Sequence, residues 1–153
     1  YLKTVHNLVS GKCPELDLEK EKALHSFLLS AISSKLLQSA HDCSEGGLAV
    51  ALAECCISDL SPERRGELGL DADLSGLTGR NDFVLFAENQ SRAVISCSSE
   101  DAGKLEAEAK RLGVETMKLG KVGSDRFVIK GLVDLPVSEL RNAWEEAIPG
   151  KMK

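Results

Sequence analysis

The sequence predicts a layered α/β (α+β) domain in which a mixed β-sheet is flanked by helices. Three observations carry that prediction. Segments with apolar residues at helical spacing interleave with short apolar or alternating runs. One helical segment, residues 48–58 (LAVALAECCIS), is apolar nearly all round with Glu54 as its only charge, which places it between layers rather than on a surface. The 153 residues, 42% hydrophobic and 28% charged, suffice for one domain with its own core.

Residues 1–15 read as a lead-in segment or linker that ends at Cys13-Pro14. A helix follows over 16–38, with Leu24, Phe27, Leu28, Ala31, Ile32 and Leu36 on one face and Glu19, Lys20, Glu21 and Lys22 on the other. Residues 39–44 form a strand or extended stretch, and Glu45-Gly46-Gly47 opens the apolar helix. A strand over 67–71 turns Leu68 and Leu70 inward, and 71–81 is a Gly-, Ser- and Asp-rich loop. The continuous apolar run 83–86 predicts a central strand, 88–91 a turn, and 93–97 the next strand. Ser98 and Ser99 are candidate caps for a helix over 100–112 that Gly113 terminates. Strands follow at 114–122 and 127–129. The last helix, 137–148, carries Val137, Leu140, Trp144, Ala147 and Ile148 on one stripe, so Trp144 is expected in the core. The predicted order is α-β-α-β-β-β-α-β-β-α.

Several function classes are excluded. The net charge is −5, basic residues are scattered, and aromatics are 4%, which does not make a nucleic-acid-binding face. No apolar run reaches the length of a membrane span, and the first ten residues lack the pattern of a signal peptide. The start at Tyr1 rather than Met fits a fragment of a longer polypeptide. The five cysteines, Cys13, Cys43, Cys55, Cys56 and Cys97, include no C-x-x-C pair. They read as buried reduced thiols of a cytosolic protein.

The stretch with the most chemistry is 39–49, SAHDCSEGGLA. Polar groups precede two glycines at a helix start, where free N–H groups and the helix dipole favour an anion. Gly46 and Gly47 clear space, and Ser44 can cap the helix or donate to an oxyanion. Asp42, Ser44, Glu45, Gly46 and Gly47 are therefore candidates for binding a ligand or phosphate; the competing reading is a capped helix with no ligand. His41 is a base or a hydrogen-bonded structural residue. Asp42 binds magnesium through water or caps the turn, and the bland reading of Glu45 is a complement to the helix dipole.

HDCSEGGLAVALAE (41–54) resembles a motif of the phosphoribosylformylglycinamidine synthase family, and LFAENQSR (85–92) resembles its Leu-Phe-Gly-Glu-Ser-Gln-Ser-Arg stretch. Ala87 and Asn89 depart from that pattern. Tyr1-Leu2-Lys3, Gly120-Lys121-Val122 and Trp144 also fit, and the similarity covers nearly the whole chain. The resemblance implies an AIR synthase-related C-terminal domain, a ligase of purine biosynthesis, and a chain that is the second C-type domain of a four-domain polypeptide. It makes Glu88 and Gln90 pseudo-symmetric counterparts of a substrate-contacting turn. It puts the catalytic residues, the metal ligands, and the main sites for ATP and Mg2+ on domains outside this chain, which alone is then inactive. It further implies the other domains of the polypeptide, a glutaminase subunit and a small bridging subunit as partners, in the cytoplasm. Another enzyme of the superfamily, such as aminoimidazole ribonucleotide synthetase, fits less well at Cys43-Ser44-Glu45. A non-catalytic structural or nucleotide-binding domain is the alternative of a different class.

Overall fold

The computed structural model describes residues 1–11, 13–57 and 68–152. The expected helix end at Ser58 and strand start at Glu67 lie outside the described residues. The chain forms two compact units, Tyr1–Ala51 with Leu85–Met117, and Leu52–Val84 with Lys118–Lys153.

In the first unit, α1 (Leu2–His6) precedes α2 (Leu18–Ser33). Asp17 caps α2 by accepting from the N–H groups of Glu19 at 3.0 Å and Lys20 at 3.1 Å. The helix stops at Ser33 rather than 38 because Lys35 turns left-handed, at φ 55°. The N–H groups of Lys35 and Leu36 donate back to the carbonyls of Ile32 at 2.9 Å and Ala31 at 3.0 Å. That is a helix-ending motif in which glycine is usual, so its signal was missing from the sequence. The core of this unit is Phe27 and Ala31 against Leu105 and Ala109 of α5 (Ala102–Arg111). Leu24 and Leu28 pack around it, while Ile32, expected on the same face, is 54% exposed. Gly113 ends α5 as predicted, at φ 72°. The strands β1 (Ser39–Asp42) and β3 (Ala93–Ser96) pair antiparallel, from Ser39 opposite Ser96 to Asp42 opposite Ala93.

The second unit holds the mixed sheet, in the order β4-β2-β5-β6. Here β2 (Leu70–Ala72) lies parallel to β5 (Arg126–Ile129) and antiparallel to β4 (Gly120–Val122), and β5 is antiparallel to β6 (Val133–Pro136). Leu70 faces the core as expected and Ala72 joins it, whereas Leu68, ahead of the strand, is 52% exposed. Of the expected strand 114–122, only the last three residues pair. The sequence reading missed β6. Its hairpin turns at Gly131, φ 74°, with the Leu132 N–H donating to the Ile129 carbonyl at 2.9 Å.

Two expectations are corrected. Residues 83–86 belong to a helix, α4 (Asn81–Phe86), not a strand. The Arg80 carbonyl accepts from the N–H groups of Phe83 and Val84, each at 3.0 Å; a short apolar run has no period by which to tell the two states apart. Trp144 is not a core residue: it is 63% exposed, and Ile148 is 71% exposed. The last helix, α6 (Val137–Glu145), is anchored by its first residue. Val137 is fully buried and its N–H donates to the Asp125 carbonyl at 2.9 Å, and burial falls away along the stripe beyond it. The helix stops at Glu145, short of the expected 148, and Pro149–Lys151 form a short 3-10 turn beyond it.

Candidate functional site at the glycine turn

The candidate turn lies in the first unit, between β1 and α3 (Gly47–Ile57). Its base is Cys43, which is buried and donates its N–H to the Arg92 carbonyl at 3.2 Å. Gly46 and Gly47 are both left-handed, at φ 80° and 69°, and the Gly47 N–H closes a turn on the Ser44 carbonyl at 3.1 Å. The Ser44 hydroxyl donates to the Asp42 carboxylate. That bond, with the Asp42 backbone N–H and the His41 charge, holds the Asp42 carboxyl below its ordinary range. His41 Nδ1 lies 2.7 Å from the Asp42 carbonyl oxygen, which can only accept, so that nitrogen is the donor. Glu45 is exposed.

The second motif lies directly on the first. Glu88 Oε1 accepts a hydrogen bond from the Gly46 N–H at 2.9 Å. A Cβ on Gly47 would sit 2.7 Å from the Phe86 carbonyl carbon and 2.8 Å from the Ala87 oxygen. Gly47 is thus needed for backbone contact as well as for its left-handed conformation. The segment above it is tied down on several sides. The Phe86 ring stacks on that of Tyr1. The Arg92 guanidinium donates to the Ala87 carbonyl. Ser91 Oγ donates to Glu21 Oε2 at 2.5 Å, and Glu21 also meets His25 at 2.9 Å. Asn89 and Gln90 are exposed at the tip. Reading the two motifs separately gave no sign that Glu88 reaches Gly46. Arg92 was also missed as a site residue; its Nε is buried without a hydrogen-bond partner, and its place in the 85–92 motif was the available signal.

Burial favours the protonated form of the Cys43 and Cys56 thiols. Desolvation pushes the Cys43 thiol up against the opposing pull of Arg92, and pushes Cys56 up to about 11. All five cysteines are free; Cys13 is exposed, contrary to the buried reading. In the second unit, Asp71, Asp73, Lys121 and Lys130 line an open cavity of about 400 Å3. Hydrogen bonds from Ser75 and Lys130 hold Asp73 down at about 2, so its charge is already partnered. Among the described residues no three His, Cys, Asp or Glu side chains group as a metal-binding set. No helix among the described residues is long and apolar enough to cross a membrane.

Comparison with known proteins gives similarity along the whole chain. The chain is 41% identical over 156 residues to the phosphoribosylformylglycinamidine synthase subunit PurL of Anaeromyxobacter sp. (strain Fw109-5), covering 100% of this chain and 20% of that protein. It is 38% identical to the subunit of the same name from Moorella thermoacetica, covering 97% and 20%. The chain therefore spans about a fifth of the length of these relatives. Thermotoga maritima PurL complexed with FGAR superposes with a TM-score of 0.66 at 21% identity, covering 79% of this chain and 21% of that one. The PurLQS structure from the same organism gives 0.67 at 20% identity, covering 92% and 24%. These two likenesses concern the fold. The family model described as "AIR synthase related protein, C-terminal domain" matches residues 1–131, and the chain belongs to that family.

Proposed function

We propose that residues 1–153 are a C-terminal AIR synthase-related domain of a phosphoribosylformylglycinamidine synthase of purine biosynthesis, working as one part of a longer polypeptide. The observation that carries this reading is the likeness to synthase subunits along the whole chain, 41% over 100% of its length. In the proposed reaction, ATP phosphorylates the formamide oxygen of formylglycinamide ribonucleotide. Ammonia then attacks the activated carbon and phosphate leaves, giving formylglycinamidine ribonucleotide, ADP and phosphate. Phosphorylation converts a poor leaving oxygen into a good one. The ammonia comes from glutamine through a separate glutaminase subunit, joined by a small bridging subunit, in the cytoplasm. The nucleotide and Mg2+ are held by other domains; this chain supports them.

The turn itself favours a supporting role. Its Gly46 N–H is taken by Glu88, and Gly47 is covered by Phe86 and Ala87. The test is an assay of ADP and amidine formation from formylglycinamide ribonucleotide, ATP and ammonium. The longer polypeptide that contains this chain is expected to turn over, and the isolated chain to be silent. Robust turnover by the isolated chain, or none by the longer polypeptide with its subunits, overturns the reading.

A further inference from the structure

We propose that Glu88 is a built-in anion that closes the glycine turn to phosphate from solution. A helix start attracts anions through N–H groups that have no partner inside the helix. The two glycine donors of this turn are already used. The Gly46 N–H donates to Glu88 Oε1 at 2.9 Å, and the Gly47 N–H to the Ser44 carbonyl at 3.1 Å. The carboxylate satisfies Gly46 as a phosphate oxygen would, and complements the positive end of α3 in the same way.

Space and charge act in the same direction. The position a Gly47 Cβ would take lies within 3 Å of three backbone atoms of Phe86 and Ala87, so no phosphate oxygen fits there. One of them, the Ala87 carbonyl oxygen, carries partial negative charge. Asp42 and Glu45 add two carboxylates to the same turn. The segment that presents Glu88 is held by the Arg92 bond to Ala87, the Ser91 bond to Glu21, and the stacking of Tyr1 on Phe86. A group tethered in this way competes at a high effective concentration. An anion from solution finds the donor only in the fraction of molecules with Glu88 released, and its apparent affinity falls by that fraction. This closure belongs to the chain itself and is independent of the reaction the longer polypeptide performs.

The test is NMR of the 15N-labelled 153-residue chain. Millimolar inorganic phosphate is expected to leave the Gly46 and Gly47 amide signals where sodium chloride of equal ionic strength leaves them. Amide exchange at Gly46 is expected to quicken on the order of tenfold in Glu88→Ala, the loss of one hydrogen bond of ordinary net strength. Glu88→Gln, whose amide oxygen still accepts, is expected to stay near the parent rate. A saturable, phosphate-specific shift at Gly46 in the parent chain overturns the proposal. So does a Gly46 exchange rate that is the same in Glu88→Ala as in the parent. If Glu88→Ala does not fold, the phosphate titration of the parent decides: the absence of a phosphate-specific shift supports the proposal and a saturable one overturns it.

Discussion

The rings of Tyr1 and Phe86 are stacked, with centroids 4.8 Å apart and planes 8° from parallel. The contact joins the first residue of the chain to the segment lying over Gly47. His6 stands edge-on to the same Tyr1 ring, 5.1 Å between centroids, with Nε2 at 3.1 Å from the phenol oxygen. The lead-in segment therefore docks through aromatic contact. Tyr1→Ala should lower stability by about 1 kcal/mol, and a double-mutant cycle with Phe86→Leu should return a coupling of about 0.5–1.5 kcal/mol. Urea unfolding of the four proteins measures it; additive effects would show that the stack contributes no coupling.

Gly47 and Gly113 separate steric contact from backbone strain. Both are left-handed, at φ 69° and 72°. A Cβ on Gly47 meets backbone at 2.7 Å, whereas one on Gly113 meets nothing within 4 Å. Gly113→Ala should cost about 1 kcal/mol, the strain of a left-handed residue, and Gly47→Ala should cost more than about 2 kcal/mol. Equal shifts in the urea midpoint would mean that the segment over Gly47 moves aside freely.

The sequence made some features plain and concealed others for physical reasons. The capped helices around Phe27 and Leu105 were legible because their apolar residues recur at helical spacing and Gly113 marks one end. The left-handed Lys35 that ends α2 was not, since its side chain gives no hint of that conformation. The run 83–86 is too short to show a period, and its helix depends on Arg80 just before it. Both motifs of the candidate site were visible as local patterns. Their meeting was not, because the bond from Gly46 to Glu88 spans 42 residues and rests on the pairing of β1 with β3.

Trp144 shows what an apolar stripe does and does not imply. Periodicity identifies a face, but burial needs something packed on it. Val137 is fully buried at the start of α6, and Trp144, two turns on, is 63% exposed. Trp144→Ala should therefore cost under about 1 kcal/mol in this chain, and Val137→Ala about 2 kcal/mol. Denaturant unfolding measures both. A loss of about 3 kcal/mol at Trp144 would show that the ring packs against the core after all.

Glu108 makes stability depend on pH in a definite direction. Its carboxylate accepts from Arg111 Nε at 2.8 Å and Nη2 at 2.7 Å, and from Ser30 Oγ of the facing helix at 2.6 Å. Arg111 first, and Ser30 second, pull the carboxyl from 4.5 down to about 2. The folded state thus holds the proton more weakly than the unfolded chain does. The stabilisation is complete above about 4.5 and is lost as the pH falls through about 2. Other carboxyls, such as Asp73 and Asp101, are also held low and act in the same direction. The informative quantity is therefore the difference between the parent and Glu108→Gln. That difference in urea midpoint should be present near neutrality, shrink below about 4.5 and vanish near about 2. Ser30→Ala should raise the Glu108 midpoint part of the way, because Arg111 remains, and carboxyl NMR titration reads that shift directly. A parent-to-variant difference independent of pH would show that Glu108 acts through packing of its side chain rather than through its charge.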